Sequence, residues 1–165
     1  MLSLGARRIP MLLALVVALT AGCALVPSDP ADPPMFGARF DGKSITVKMP
    51  LCPEEKLRRI DVRDADDTGT DSPRLVWWAT GPRTERAESG TVDLWSGRGF
   101  TKHAPVPTAT PVTVNIGYTD VHGDGRDDVL PLGTIAEAHL AAGKFWTPQG
   151  GKSAAEIDAQ LHCGK

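Results

Sequence analysis

The chain has 165 residues, with 18 Lys+Arg against 20 Asp+Glu and a formal charge of −2. That balance, with no basic cluster, excludes a protein that grips nucleic acid by neutralising phosphates. Seventeen glycines and fourteen prolines, with only 5% aromatic residues, argue against long helices and for one domain of short segments joined by turns.

Arg7 and Arg8 are the only charges among the first 22 residues. They precede an apolar run, residues 9–21 (IPMLLALVVALTA), of the length of a signal-peptide core and short of the roughly 20 residues needed to span a bilayer. Small residues then lead into a cysteine, Leu19-Thr20-Ala21-Gly22-Cys23. This pentad resembles the lipobox of bacterial prolipoproteins, although Thr20 stands where that family usually has Leu. The resemblance implies a diacylglycerol on the Cys23 thiol and cleavage just before it. Residues 1–22 are then a signal peptide, and the mature chain sits on the extracytoplasmic side of the cell membrane, held by lipid. Loss of Arg7 and Arg8 takes the formal charge to −4. In signal and composition the chain resembles the small lipoproteins of high-GC Gram-positive bacteria.

Residues 23–35 carry the lipid cysteine and four prolines without hydrophobic periodicity, and predict a stiff, extended tether. The domain, residues 36–165, is expected to open near Phe36. Residues 44–49 (SITVKM) alternate, with Ile45, Val47 and Met49 on one face, after the turn dipeptide Asp41-Gly42. Residues 57–62 predict a second strand and 64–71 an acidic loop. Residues 74–80 (RLVWWAT) predict a central strand, Leu75, Trp77 and Ala79 facing one way and Val76 and Trp78 the other. Further strands are expected at 91–96 and at 112–119, the latter with Val112, Val114 and Ile116 inward. Residues 129–132 and 144–147 follow. Residues 135–142 read as helix by composition, but Gly133 and Gly143 leave little room. Ser153 and Glu156 form a capping-box pattern at the start of a short C-terminal helix, with Ile157 and Leu161 on one face. Six or more short strands between turns predict a mainly β protein, a single β-sandwich only loosely like immunoglobulin or fibronectin domains. Trp77 and Trp78 fall too far after Cys52 for a true immunoglobulin domain.

With Cys23 assigned to lipid, Cys52 and Cys163 are left as a pair near the two ends of the domain, and an exported chain is expected to oxidise them. The segment Asp120-Val-His-Gly-Asp-Gly-Arg-Asp-Asp128 resembles the calcium loops of FG-GAP-type repeats. The resemblance implies carboxylate ligands at Asp120, Asp124 and Asp128 and a backbone carbonyl at Arg126, with calcium as cofactor. His122 stands where those loops place Asp or Asn. The same glycines and aspartates also suit a plain hairpin turn. Trp78 and Trp95 are the tryptophans that strand alternation turns outward, as candidates for stacking on a ligand. The four histidines lack zinc spacing, and no nucleophile elbow or phosphate-binding loop is present.

These features predict a lipid-anchored extracytoplasmic binding or structural module without catalytic activity, whose partner is an envelope protein or a glycan. A second reading is a calcium-dependent adhesion or carbohydrate-binding module built on residues 120–128. A third, an envelope hydrolase, needs a pair of carboxylates about 5–10 Å apart in a cleft.

Overall fold

The computed structural model describes residues 33–69 and 72–163. The signal segment, Cys23 and nearly all of the tether lie outside them. The compact unit begins at Pro34, two residues before the expected Phe36. Met35 already belongs to it: its backbone N–H donates to the Gln160 side chain (3.0 Å), whose amide donates back to the Met35 carbonyl (3.0 Å).

The strands are β1 (Gly37–Phe40), β2 (Ile45–Lys48), β3 (Leu57–Asp64), β4 (Leu75–Pro82), β5 (Thr91–Asp93), β6 (Phe100–His103), β7 (Thr113–Asp120), β8 (Gly125–Pro131), β9 (Lys144–Phe145) and β10 (Lys152–Ser153). Three short helices, α1 (Glu85–Glu88), α2 (Leu132–Glu137) and α3 (Ala154–Asp158), join them, with a 3-10 turn at Ala159–Leu161. Two antiparallel sheets dominate, one of order β1-β2-β5 and one of order β6-β4-β3-β7-β8, with β9 and β10 as a small ribbon. Among the described residues no helix is long and apolar enough to cross a membrane.

Alternation explains why the two sheets stack. Val47 and Val92 from one sheet, and Ile60, Val62, Trp77, Ala79, Val114, Ile116 and Leu130 from the other, are all within 1% of complete burial and share one core. Each large side chain so buried contributes about 1.5–3 kcal/mol. Trp77 is fully buried, yet its indole N–H is not wasted, because it donates to the Ala104 carbonyl at 3.1 Å. The mainly β, antiparallel sandwich with a short C-terminal helix is thus the fold that strand alternation predicts.

The outer face of the three-stranded sheet is covered. Gly37, Lys48 and Thr91 share that face through their register, and α3 lies over it. A Cβ at Gly37 would collide with the Ile157 side chain and stand 2.7 Å from Phe145 Cβ, so only glycine admits this approach. The capping box forms as predicted, with Ser153 Oγ accepting from the Glu156 N–H and the Glu156 carboxylate accepting from Ser153 N–H. Ile157 is fully buried beneath it.

Several expectations change. The strand expected at 91–96 stops at Asp93, because Trp95 takes a left-handed φ of 66° and turns the chain. Val112, expected inward, is 68% exposed; its carbonyl accepts from Leu132 N–H just outside the sheet, and the inward set is Val114, Ile116 and Tyr118. Leu75, expected to share the buried face of Trp77, is 39% exposed because a register shift after Val62 displaces it. The strand expected at 129–132 begins already at Gly125, while Leu132 starts α2 and resolves the ambiguous 135–142 stretch into a short helix plus a loop. β1, β6 and α1 were not expected; α1 is capped by the Thr84 hydroxyl, which accepts from Ala87 N–H at 3.2 Å.

Candidate functional site

The cysteine pairing holds: Cys52 and Cys163 form a disulfide with Cα atoms 5.6 Å apart. It walls a cleft of about 630 Å3 between the β2–β3 connection, α1 and α3, whose lining includes Leu51, Pro53, Glu85, Glu88 and Asp158. Under this cleft lies Lys48, only 2% exposed on β2. Its ammonium donates to the Met49 carbonyl (2.8 Å), to the Ser89 carbonyl (3.0 Å) and to the Asp158 carboxylate. All three protons therefore have acceptors. Burial pulls the Lys48 ammonium below its usual value, against the opposing pull of Asp158. The Asp158 carboxylate also accepts from Leu51 N–H (3.0 Å), so one side chain ties α3 to β2 and to the chain just before Cys52.

Beside the cleft, Arg126 makes a two-pronged ion pair with Glu55 (2.9 and 3.1 Å) and donates to the Tyr118 hydroxyl, which itself donates to the Pro50 carbonyl at 2.8 Å. The guanidinium holds Glu55 below the usual carboxylate range, while burial pushes the Tyr118 phenol up.

The segment 120–128 is the hairpin turn between β7 and β8. Asp120, 1% exposed, spends Oδ1 on the backbone N–H groups of His122 and Asp124, both at 2.9 Å. Its Oδ2 is buried without a hydrogen-bond partner. Asp124 is exposed at the tip, whereas the Arg126 backbone, expected to offer its carbonyl, lies in the β7–β8 ladder opposite Tyr118. Asp128 sits opposite Ile116, three ladder positions beyond the Gly125–Thr119 pair and so roughly 10 Å along the strand. There its carboxylate accepts from Phe36 N–H (2.8 Å) and Val129 N–H (2.7 Å), and burial raises its pKa. The structure thus brings Asp120 and Asp124 together in one turn but leaves Asp128 apart. Among the described residues no group of three or more His, Cys, Asp or Glu side chains is arranged to hold a metal ion. Millimolar calcium is accordingly expected to leave the unfolding midpoint where excess chelator leaves it. A rise abolished by Asp124→Ala would instead show the turn closing around an ion.

Of the two tryptophans expected outward, Trp95 is half-buried and packs edge-on against Trp77, ring centres 5.9 Å apart. Trp78 does lie on the outer face of the five-stranded sheet, half-buried, with the Arg59 guanidinium 5.2 Å above its ring. That face carries a feature alternation alone does not reveal. Strand register sets Trp78, Asp61, Gly117 and Asp127 in one row across four strands. Asn115 and Thr119 flank Gly117 along β7, and the glycine floors a hollow of about 290 Å3. Arg59 grips both oxygens of Asp61, its Nε 3.0 Å from Oδ1 and 2.9 Å from Oδ2, while Asn115 donates to Asp127 at 2.9 Å. The two carboxylates that flank the hollow are therefore each held by a neighbouring side chain.

Comparison with protein-family models, with curated proteins and with solved structures gives no match.

Proposed function

We propose that the protein is a lipid-anchored binding module of the bacterial cell envelope, held by lipid on Cys23 and working on the extracytoplasmic side without catalysis. The observation that carries this is the Cys52–Cys163 disulfide, which spans 111 residues of the domain. Such bonds persist in oxidising compartments outside the cytoplasm, and the export signal with its terminal cysteine asks for that destination independently. Seven ion pairs form among the described residues, and the partly buried ones, Glu55–Arg126, Asp61–Arg59 and Asp158–Lys48, fix side chains beside the cleft and on the outer sheet face. Ordered, mutually satisfied polar groups suit recognition by a fixed surface better than proton transfer.

The test is metabolic labelling of the full chain with a fatty acid, followed by detergent phase partition. The wild type is expected to take label and enter the detergent phase. Cys23→Ser should lose the label, whereas Cys52→Ser with Cys163→Ser should keep it. Label surviving Cys23→Ser would overturn the anchor.

A further inference from the structure

We infer that the hollow over Gly117, on the outer face of the five-stranded sheet, is a calcium-independent binding trough for a neutral, hydroxyl-rich glycan. The inference rests on the binding-module reading and assigns its site and ligand class.

Gly117 is the anomaly that starts the argument. Glycine in a strand interior costs roughly 0.5–1 kcal/mol relative to alanine, and it often marks a close approach by a ligand or another chain. The neighbouring Gly125 has a local reason to be glycine, since a Cβ there would collide with the Tyr118 carbonyl oxygen. Gly117 has none. Its φ lies outside the left-handed region, and a Cβ would meet only Asp127 Cβ at 3.6 Å and the Arg126 carbonyl oxygen at 3.9 Å, ordinary contact distances. The backbone tolerates a side chain at 117; what the missing side chain provides is open space on the outer face.

That space has walls. Asp61 on β3 and Asp127 on β8 stand on either side of Gly117, two interstrand spacings apart, or roughly 10 Å. Their carboxylates are pre-set by Arg59 and Asn115 but keep accepting capacity, because each ionised carboxylate offers about four lone-pair sites. Asn115 and Thr119 also line it, on either side of Gly117 along β7, and Arg63 lines it from β3. A surface of fixed acceptors with a few donors selects a ligand whose groups both donate and accept, and hydroxyls do both.

Charge excludes the alternatives. Asp61 and Asp127 line the hollow with Arg63 and Arg126, while Arg59 pairs with Asp61 and Glu55 with Arg126, so the charges around it balance and neither a polyanion nor a polycation is drawn to it. The large apolar side chains exposed on this face are Leu75 (39%) and Val129 (50%), one level away from the glycine row. Two such side chains are a poor core for a protein–protein interface. Because Arg59 occupies a face of Trp78, selection falls to hydrogen bonds rather than to stacking.

The experiment is a ligand-observed NMR titration of the full chain, in a detergent free of sugar headgroups, against maltotetraose, mannotetraose and chitotetraose. At least one is expected to bind below about 10 mM, unaffected by chelator. Gly117→Val should weaken that binding at least about tenfold while leaving the unfolding midpoint unchanged or higher. Should that variant fold poorly, Asp127→Ala, at an exposed position of an edge strand, reads the same contact. No binding by any of the three, binding indifferent to both variants, or a self-association lost in Gly117→Val would each overturn the trough. A lipidated chain that isolated envelopes retain, with or without the Gly117 substitution, would keep the module and remove this site from it.

Discussion

Replacing Cys52 and Cys163 together by serine is expected to cost about 4 kcal/mol of stability. The bridge closes a loop of 111 residues, and for a loop near 100 residues the chain-entropy estimate is about 4.7 kcal/mol, with measured values commonly lower. A domain of this size holds roughly 5–15 kcal/mol in all, so the double variant should sit close to its unfolding threshold. Its midpoint should fall by on the order of 15 °C. Denaturant unfolding of the oxidised wild type, the wild type in reductant and the double variant provides the check. A loss below about 1 kcal/mol would mean that the bridge is not closed in the native protein or that the unfolded chain stays compact without it.

The second large effect is expected at Lys48. Lys48→Met leaves the carbonyls of Met49 and Ser89 and the carboxylate of Asp158 without their shared donor. Removing one member of a buried pair costs about 3–5 kcal/mol. The Asp158 side chain is 38% exposed and regains water, so a loss of about 2–3 kcal/mol is expected here. Adding Asp158→Leu should restore part of it. Lys48 and the disulfide secure the same C-terminal segment, α3 and the turn after it, so their losses should add to less than their sum. Unfolding of the single, double and triple variants measures that coupling; strict additivity would show that the two ties act separately.

What the sequence displays follows from which contacts are local. β7 declares itself through Val114 and Ile116, because period-two alternation survives wherever one face is buried and the other is open. The cysteine pairing and the capping box at Ser153 are equally legible, each needing only residue types and spacing. β1 has no pattern in Gly-Ala-Arg-Phe, since its outward glycine is dictated by Ile157, 120 positions away. The same helix reverses the expectation for Lys48: alternation sends it outward on β2, and outward there means under α3. β8 begins with Gly-Arg-Asp-Asp, which reads as loop, because an edge strand with one open face need not be apolar. The hollow over Gly117 draws its residues from three strands, β3, β7 and β8. No segment of the sequence contains it, although a lone glycine amid Val-Asn-Ile-Gly-Tyr was the one local sign.

The pairing of Met35 with Gln160 also sets how the domain would bear tension. β1 is the edge strand of its sheet, and it is the first element met by a pull arriving through the residues before Met35. It is held on both sides, by the β2 ladder and by the reciprocal Ala38–Trp146 hydrogen bonds (3.0 and 2.7 Å), so both must give before the chain lengthens. Once that hairpin yields, the slack released ends at Cys52, after roughly 18 residues or about 60 Å of extended chain. Beyond it the disulfide keeps the remaining sheet a closed ring, and with it the whole outer face around Gly117. A domain gripped from its N-terminal side would thus lengthen before it lost its hold on whatever occupies that face.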